Sequence, residues 1–219
     1  VRALSDALRL AMGRIAEQAG RAGKVIKGVH DLVRRSERVR EAVAPRALLD
    51  AIMPLVILQA RKLGVRISLQ VDETCPPVLC DRTMVEQVLL NLARNGMQAM
   101  QSSDETGQPA LALSGKVLTL RIQPAASNAH SQWIEFAVID QGDGISAEVA
   151  RQLFTPFFTT KKEGMGLGLS LCRTVIEQHG GFLGYESVQP QGTIFSFTLP
   201  VAAAAPATGA APCNTPGES

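Results

Sequence analysis

Two glycine blocks constrain this chain more than anything else in it: Asp140-Gln141-Gly142-Asp143-Gly144 and Gly164-Met165-Gly166-Leu167-Gly168-Leu169. The first follows an apolar run and reads as a strand end breaking into a turn, where glycines permit positive φ and close approach by a ligand. The second runs directly into a helix-periodic segment, Leu169 to His179. A glycine-rich turn feeding a helix start leaves backbone N–H groups unpaired at the positive end of the helix dipole, an arrangement suited to phosphate. Either block alone does no more than turn a chain. Their order and their company give them meaning.

The company is Asn91 to Ala99 upstream, Phe154 to Lys161 between the blocks, and Gly192-Thr193-Ile194-Phe195 near the end. In this order the segments resemble the ATP-binding catalytic domain of sensor histidine kinases, over about residues 45 to 200. Asn91 to Ala99 is similar to the N box, Phe154 to Lys161 to the F box, and the glycine blocks to the two glycine boxes. The resemblance implies that Asn95 binds Mg²⁺, that Asn91 lines the triphosphate, and that Asp140 accepts a hydrogen bond from adenine N6. It also implies that Ile145 packs on the base, with Gly142 and Gly144 letting the base lie close. The loop resembles an ATP lid, in which Lys161 and Lys162 neutralise phosphate charge and Gly164, Met165, Gly166, Leu167 and Gly168 line the nucleotide; Thr193 joins this set. Two positions depart from the pattern: Gly96 replaces the usual alanine, and Gln98 stands where many members carry lysine. The second departure shifts weight onto Lys161, Lys162 or Arg94.

Asn91, Asn95 and Gln98 fall on one helix face at i, i+4 and i+7. Mid-helix asparagines cost roughly half a kcal/mol each relative to alanine, so two among Val88, Leu89, Leu92 and Met97 suggest a polar task. ATPases that share this fold place a glutamate one turn before the metal asparagine. Here that position is Asn91, and the nearest acid, Glu86, lies about half a turn away around the axis. Phosphoryl transfer is therefore expected over hydrolysis, with an ATPase of the same superfamily, a non-catalytic nucleotide-binding dimerisation module and a serine kinase of the same fold as alternatives.

Residues 1 to 43 contain no proline and read as one long helix. Leu8, Met12, Ile15, Ala19, Ala22, Ile26, Val29 and Val33 are spaced by alternating fours and threes, an a/d seam that needs partner helices. The resemblance implies that this is the second helix of a dimerisation hairpin, giving a homodimer. His30 before Asp31 imitates the phosphoacceptor motif, but no proline follows before Pro45. His30 is rejected as the acceptor, which is expected outside this sequence, as is the upstream sensor domain. A response regulator receiver domain is the implied recipient of the phosphate.

Pro45 is expected to end the first helix, and Ala47 to Lys62 to form a second, interrupted at Pro54. Val65 to Val71, Val117 to Ile122, Trp133 to Ile139, Phe182 to Ser187 and Thr193 to Leu199 read as strands. Asp81 reads as the N-cap of a helix running to about Met100. Phe154, Phe157 and Phe158 are expected as core anchors, and His179 as a dipole-favoured residue without chemistry. The expected fold is a two-layer α/β sandwich with a mixed sheet. Residues 1–44 would be the dimerisation helix, 45–200 the catalytic domain and 201–219 a disordered Ala/Pro tail.

The remaining composition excludes more than it assigns. A net charge of +2 with one Trp and one Tyr offers no basic, aromatic-interleaved surface for nucleic acid. Cys75, Cys80, Cys172 and Cys213 fit no zinc spacing, and the Cys75–Cys80 pair is expected reduced. No apolar run of about 18 residues exists, so neither a membrane span nor membrane contact is expected, and the location implied is cytoplasmic.

Overall fold

The computed structural model describes residues 40–101, 115–125, 132–161, 164–189 and 191–202. The long helix expected over residues 1 to 43 falls outside them up to residue 39, as do His30, His130, Lys162, Cys213 and the tail from 203. The described part of that first segment differs from expectation. Glu41–Val43 is a strand, β1, pairing antiparallel with Val78–Cys80, β3. Pro45 does not end a helix but opens one: α1 is Pro45–Lys62 with proline in its first turn, where its missing N–H is no loss and its fixed φ suits the helix. Pro54 leaves α1 unbroken; it lies on the exposed side, where its ring meets solvent.

The main sheet has five strands in the order β2-β4-β5-β7-β6. They are Arg66–Val71, Val117–Pro124, Trp133–Asp140, Thr193–Pro200 and, at the edge, β6, Leu183–Ser187. Only β2 and β4 run parallel, so the sheet is mixed. The period of two along the strands decides what faces the helices. Leu118, Leu120 and Ile122 of β4, Ile134, Phe136 and Val138 of β5, and Phe195, Phe197 and Leu199 of β7 are all buried. Phe136 and Phe197 are cross-strand partners whose rings stack at 5.1 Å. Asp140 follows the same alternation as Phe136 and Val138. Its carboxylate is thereby sent between the sheet and the helical layer, 2% exposed.

That layer comprises α1, α2 (Arg82–Ala99) and α4 (Gly168–Gln178), with a short α3 (Ala147–Gln152) that the sequence pattern did not reveal. Helix α2 is central and packs against α1, α4, β4 and β5. Its fully buried side chains Leu89, Leu92 and Met97 contribute about 1.5–3 kcal/mol each by leaving water. Asp81 caps α2 as expected, its Oδ1 accepting the Met84 N–H at 3.1 Å. The strand β2 lies at an edge, which leaves Ile67 and Leu69 only partly covered instead of forming the buried face expected.

His179 has more to do than its position at a helix end suggested. It is 4% exposed, its Nε2 accepts the Asp81 N–H at 2.9 Å, and its Nδ1–H donates to the Val175 carbonyl at 2.7 Å. The ring is therefore neutral and bridges the start of α2 to the end of α4. Burial pushes its pKa below 6.5, against the raising effects of the Val175 carbonyl and Asp81 and with a further lowering by Arg40. Since the unfolded chain takes up the proton more readily, stability is complete above pH 6.5 and falls as pH drops through that value. The melting temperature is expected to decline as pH falls below 6.5, and His179→Gln, which can make both hydrogen bonds without titrating, to flatten that decline. An unchanged slope in the variant would place the acid sensitivity elsewhere.

Candidate functional site between helix, loop and strand end

The site begins with how closely α2 lies on the sheet. A Cβ added to Gly96 would sit 2.7 Å from Leu118 Cδ1 and 3.3 Å from Asp140 Cβ, so the small residue here lets the helix reach the end of β5. One turn on, a Cβ at Gly142 would meet the Ala99 carbonyl oxygen at 2.6 Å. A side chain at Gly142 is thus excluded by packing of the loop on α2, a requirement that holds with or without a base beside it. Only Gly144 has the positive φ, +80°, and there the nearest neighbour to an added Cβ is 3.7 Å away. Ile145 beyond it packs part-buried against the core.

Asp140 closes the turn with its own side chain, Oδ1 accepting the Gly142 N–H at 2.8 Å. Burial raises its pKa, opposed by this bond and by the Thr193 backbone N–H. Thr193 is itself buried at 3% exposure. The aspartate is thus a turn cap whose carboxylate is buried at the end of β5.

Asn95 and Gln98, which flank Gly96 in the sequence of α2, converge on one cation. Lys161 Nζ donates to Asn95 Oδ1 at 2.9 Å and to Gln98 Oε1 at 2.6 Å. The Lys161 side chain as a whole is exposed, but its ammonium is drawn onto the helix. Loss of water, and then Arg94, lower its pKa. Two amide oxygens already arranged around one cation form a hard donor set. Among the described residues no group of three or more His, Cys, Asp or Glu could hold a metal. A cation here must rely on amide, water and phosphate oxygens, which suits Mg²⁺.

Asn91 lies against the first turn of α4. Its Nδ2 donates to Cys172 Sγ at 3.2 Å, and a Cβ on Gly168 would stand 2.9 Å from its Oδ1. Cys172 was not foreseen as a site residue; its signal was the helical spacing with Val175 and Ile176, all buried. Burial pushes its thiol up to about 12, with the Asn91 bond opposing. No side chain caps the α4 N-terminus, and its first turn contains no acid, so its free N–H groups remain for an anion. Glu86 is paired with Arg82 at 2.8 Å, and leaves Asn91 without the glutamate's role.

The lid is folded over this face. The Phe157 N–H donates to the Gly166 carbonyl at 2.9 Å and the Lys161 N–H to Thr159 Oγ1 at 3.1 Å. Gly166 takes φ +67°, and an added Cβ there would overlap the Phe157–Phe158 backbone. Of the three phenylalanines expected as anchors, Phe154 packs against the core, under the Arg173 guanidinium at 4.7 Å. Phe157 does not: it is 68% exposed with φ +69°, because its backbone turns outward to meet Gly166. Met165 and Leu167 are partly exposed along the lid's return to α4. The Cys75, Cys80 and Cys172 thiols are all free.

The family model described as Histidine kinase-, DNA gyrase B-, and HSP90-like ATPase matches residues 80–203. The chain is 37% identical over 194 residues to the C4-dicarboxylate transport sensor protein DctS of Rhodobacter capsulatus, covering 89% of this chain and 28% of that protein. It is 38% identical over 192 residues to the sensor protein FixL of Bradyrhizobium diazoefficiens, covering 88% of this chain and 35% of that one. It therefore spans about a third of the length of these relatives. Among solved structures, the catalytic domain of histidine kinase ThkA is similar with a TM-score of 0.61 at 27% identity, covering 74% of this chain and 96% of that one. The same kinase in complex with the response regulator protein TrrA shares the fold, with a TM-score of 0.61 at 23% identity, covering 84% of this chain and 49% of that one.

The packing at Gly142 can be tested directly. Because the atom in the way is backbone, Gly142→Ala is expected to cost about 1–3 kcal/mol, a fall of several degrees in melting temperature. A melting temperature within about a degree of the parent would mean that the loop can withdraw from Ala99 at little cost.

Proposed function

The chain belongs to the histidine kinase-, DNA gyrase B-, and HSP90-like ATPase family, and we propose that within it this is the ATP-binding catalytic part of a two-component sensor histidine kinase. It would transfer the γ-phosphate of ATP to an acceptor histidine supplied by a separate helix, not to His30. The observation that carries the reading is the layout of α2. Its face leads from a buried carboxylate acceptor at Asp140 to a cation pole at Asn95, Gln98 and Lys161, with the uncapped start of α4 beside it.

Asp140 accepts from the adenine amine, a demand that a guanine carbonyl at that position would not meet. Asn91 and the free N–H groups of α4 face the phosphates. Asn95 would hold Mg²⁺, which when bound neutralises the charge on the phosphate oxygens. The lid, carrying Lys161 and Lys162, excludes water and adds positive charge as it closes. Phosphoryl transfer of this kind is mostly positioning and charge neutralisation, so a domain without a nucleophile of its own can supply it. Hydrolysis is disfavoured because Asn91 is engaged with Cys172 and Glu86 with Arg82. The serine kinases and non-catalytic modules of the same fold are alternatives that the same assay separates.

The dimerisation helix expected over residues 1–44 is proposed only up to about residue 40, since β1 joins residues 41–43 to the catalytic fold. A response regulator receiver domain is the proposed recipient, in keeping with the relatives named sensor proteins. The proposed location is the cytoplasm, where ATP is. No helix among the described residues is long and apolar enough to cross a membrane.

With γ-labelled ATP, Mg²⁺ and a separately supplied acceptor helix from the parent protein, label on that helix stable to base and lost in acid is expected. Free phosphate with no labelled protein would instead mean an ATPase. Asp140→Asn keeps an oxygen for the Gly142 N–H but loses the charge. We expect it to weaken ATP binding about tenfold, roughly 1.4 kcal/mol, with little change in melting temperature. Equal affinity would return Asp140 to turn-capping alone.

A further inference from the structure

Lys161 stands where a metal cation belongs. Its ammonium is bound to Asn95 Oδ1 and Gln98 Oε1, and the first of these is the oxygen proposed for Mg²⁺. We infer that Gln98 is a positioning residue that holds the lid's ammonium on Asn95, so that Lys161 and an incoming dication compete for one amide oxygen. The inference rests on the site being a nucleotide and cation site.

Charge decides against joint occupancy. An ammonium at 2.9 Å from Asn95 Oδ1 and a dication at about 2.1 Å from the same atom would crowd three positive charges within about 5 Å. A phosphate placed between them relieves this, but only after the ammonium has left the amide. Arrival of the metal-bound nucleotide and departure of Lys161 are then one exchange, in which the ammonium passes from amide oxygens to phosphate oxygens. Gln98 suits this because its oxygen accepts from Lys161. A lysine at the same position would repel Lys161 and leave Asn95 open. The departure at position 98 and the lysine in the lid are therefore two halves of one device. The hold extends beyond one side chain, since the Lys161 backbone is tied to Thr159 and to Gly164, and Phe157 to Gly166. Fixing the ammonium fixes the lid against α2 before any ligand is present.

The test uses the full chain, a fluorescent ADP derivative and Mg²⁺ titrated at fixed nucleotide, together with amide hydrogen exchange of residues 155–161 in the ligand-free protein. Gln98→Met removes the oxygen and nearly conserves the volume. It should lower the Mg²⁺ concentration for half-maximal nucleotide binding about threefold or more and speed the ligand-free exchange several-fold. Gln98→Glu keeps an oxygen on the ammonium and should retain the slow exchange; if it exchanges as fast as Gln98→Met, packing holds the lid and the proposal fails. An unchanged Mg²⁺ midpoint in Gln98→Met overturns the proposal outright. A parent protein that binds no nucleotide at any Mg²⁺ concentration would sink the functional reading itself, a result separate from either of these.

Discussion

The close seating of α2 on the sheet governs the geometry of this molecule. Helices normally pack 8–10 Å from a neighbour, at a distance set by the side chains between them. Here two glycines reduce what lies between: Gly96 on the helix, opposite Leu118 and Asp140, and Gly142 on the loop, opposite the Ala99 carbonyl. If the helix stood farther off, Asp140 would face a gap and Asn95 would no longer share a pocket wall with it. The helix propensity lost at Gly96, about 1 kcal/mol, is offset by the burial that the close approach permits along Leu89, Leu92 and Met97. A locally unfavourable residue is thus consistent with the whole fold.

The far end of α2 is secured differently. Asp81 caps the helix through Met84, while its own N–H is taken by His179. His179 in turn is fixed by Val175 of α4. Helices α2 and α4 are therefore tied through one imidazole, and Arg40 adds a bond to the Gln178 carbonyl at the same end. Midway along α2 they meet again through Asn91 and Cys172. Helices tied at two points form one wall of the site, and the loop after Phe154 is joined to that wall through Lys161.

Much of this was legible in the residues. The alternation of Ile134, Phe136 and Val138 carries straight on to Asp140, which is why a carboxylate could be placed at a buried strand end from sequence. The i, i+4, i+7 spacing of Asn91, Asn95 and Gln98 put them on one face, and the structure keeps them there. What escaped were features decided by tertiary contact. β1 is three residues long and exists because β3 is there to pair with it. Its pattern is too short to distinguish it from the end of a helix. The contact of Gly142 with the Ala99 carbonyl escaped because a turn glycine gives no sign of what packs beside it. Phe157 read as core because aromatic residues usually are, yet its backbone conformation answers to Gly166. His179 looked incidental because its partner is 98 residues away.

Cys172 has a consequence for anyone designing small molecules against this pocket. A cysteine beside a nucleotide site invites an acrylamide or chloroacetamide warhead, which reacts with the thiolate. Burial pushes this thiol up to about 12, so at neutral pH it is held as the thiol. The sulfur contributes shape and a weak acceptor for Asn91 and no nucleophilicity. Affinity in this pocket will have to come from reversible contacts.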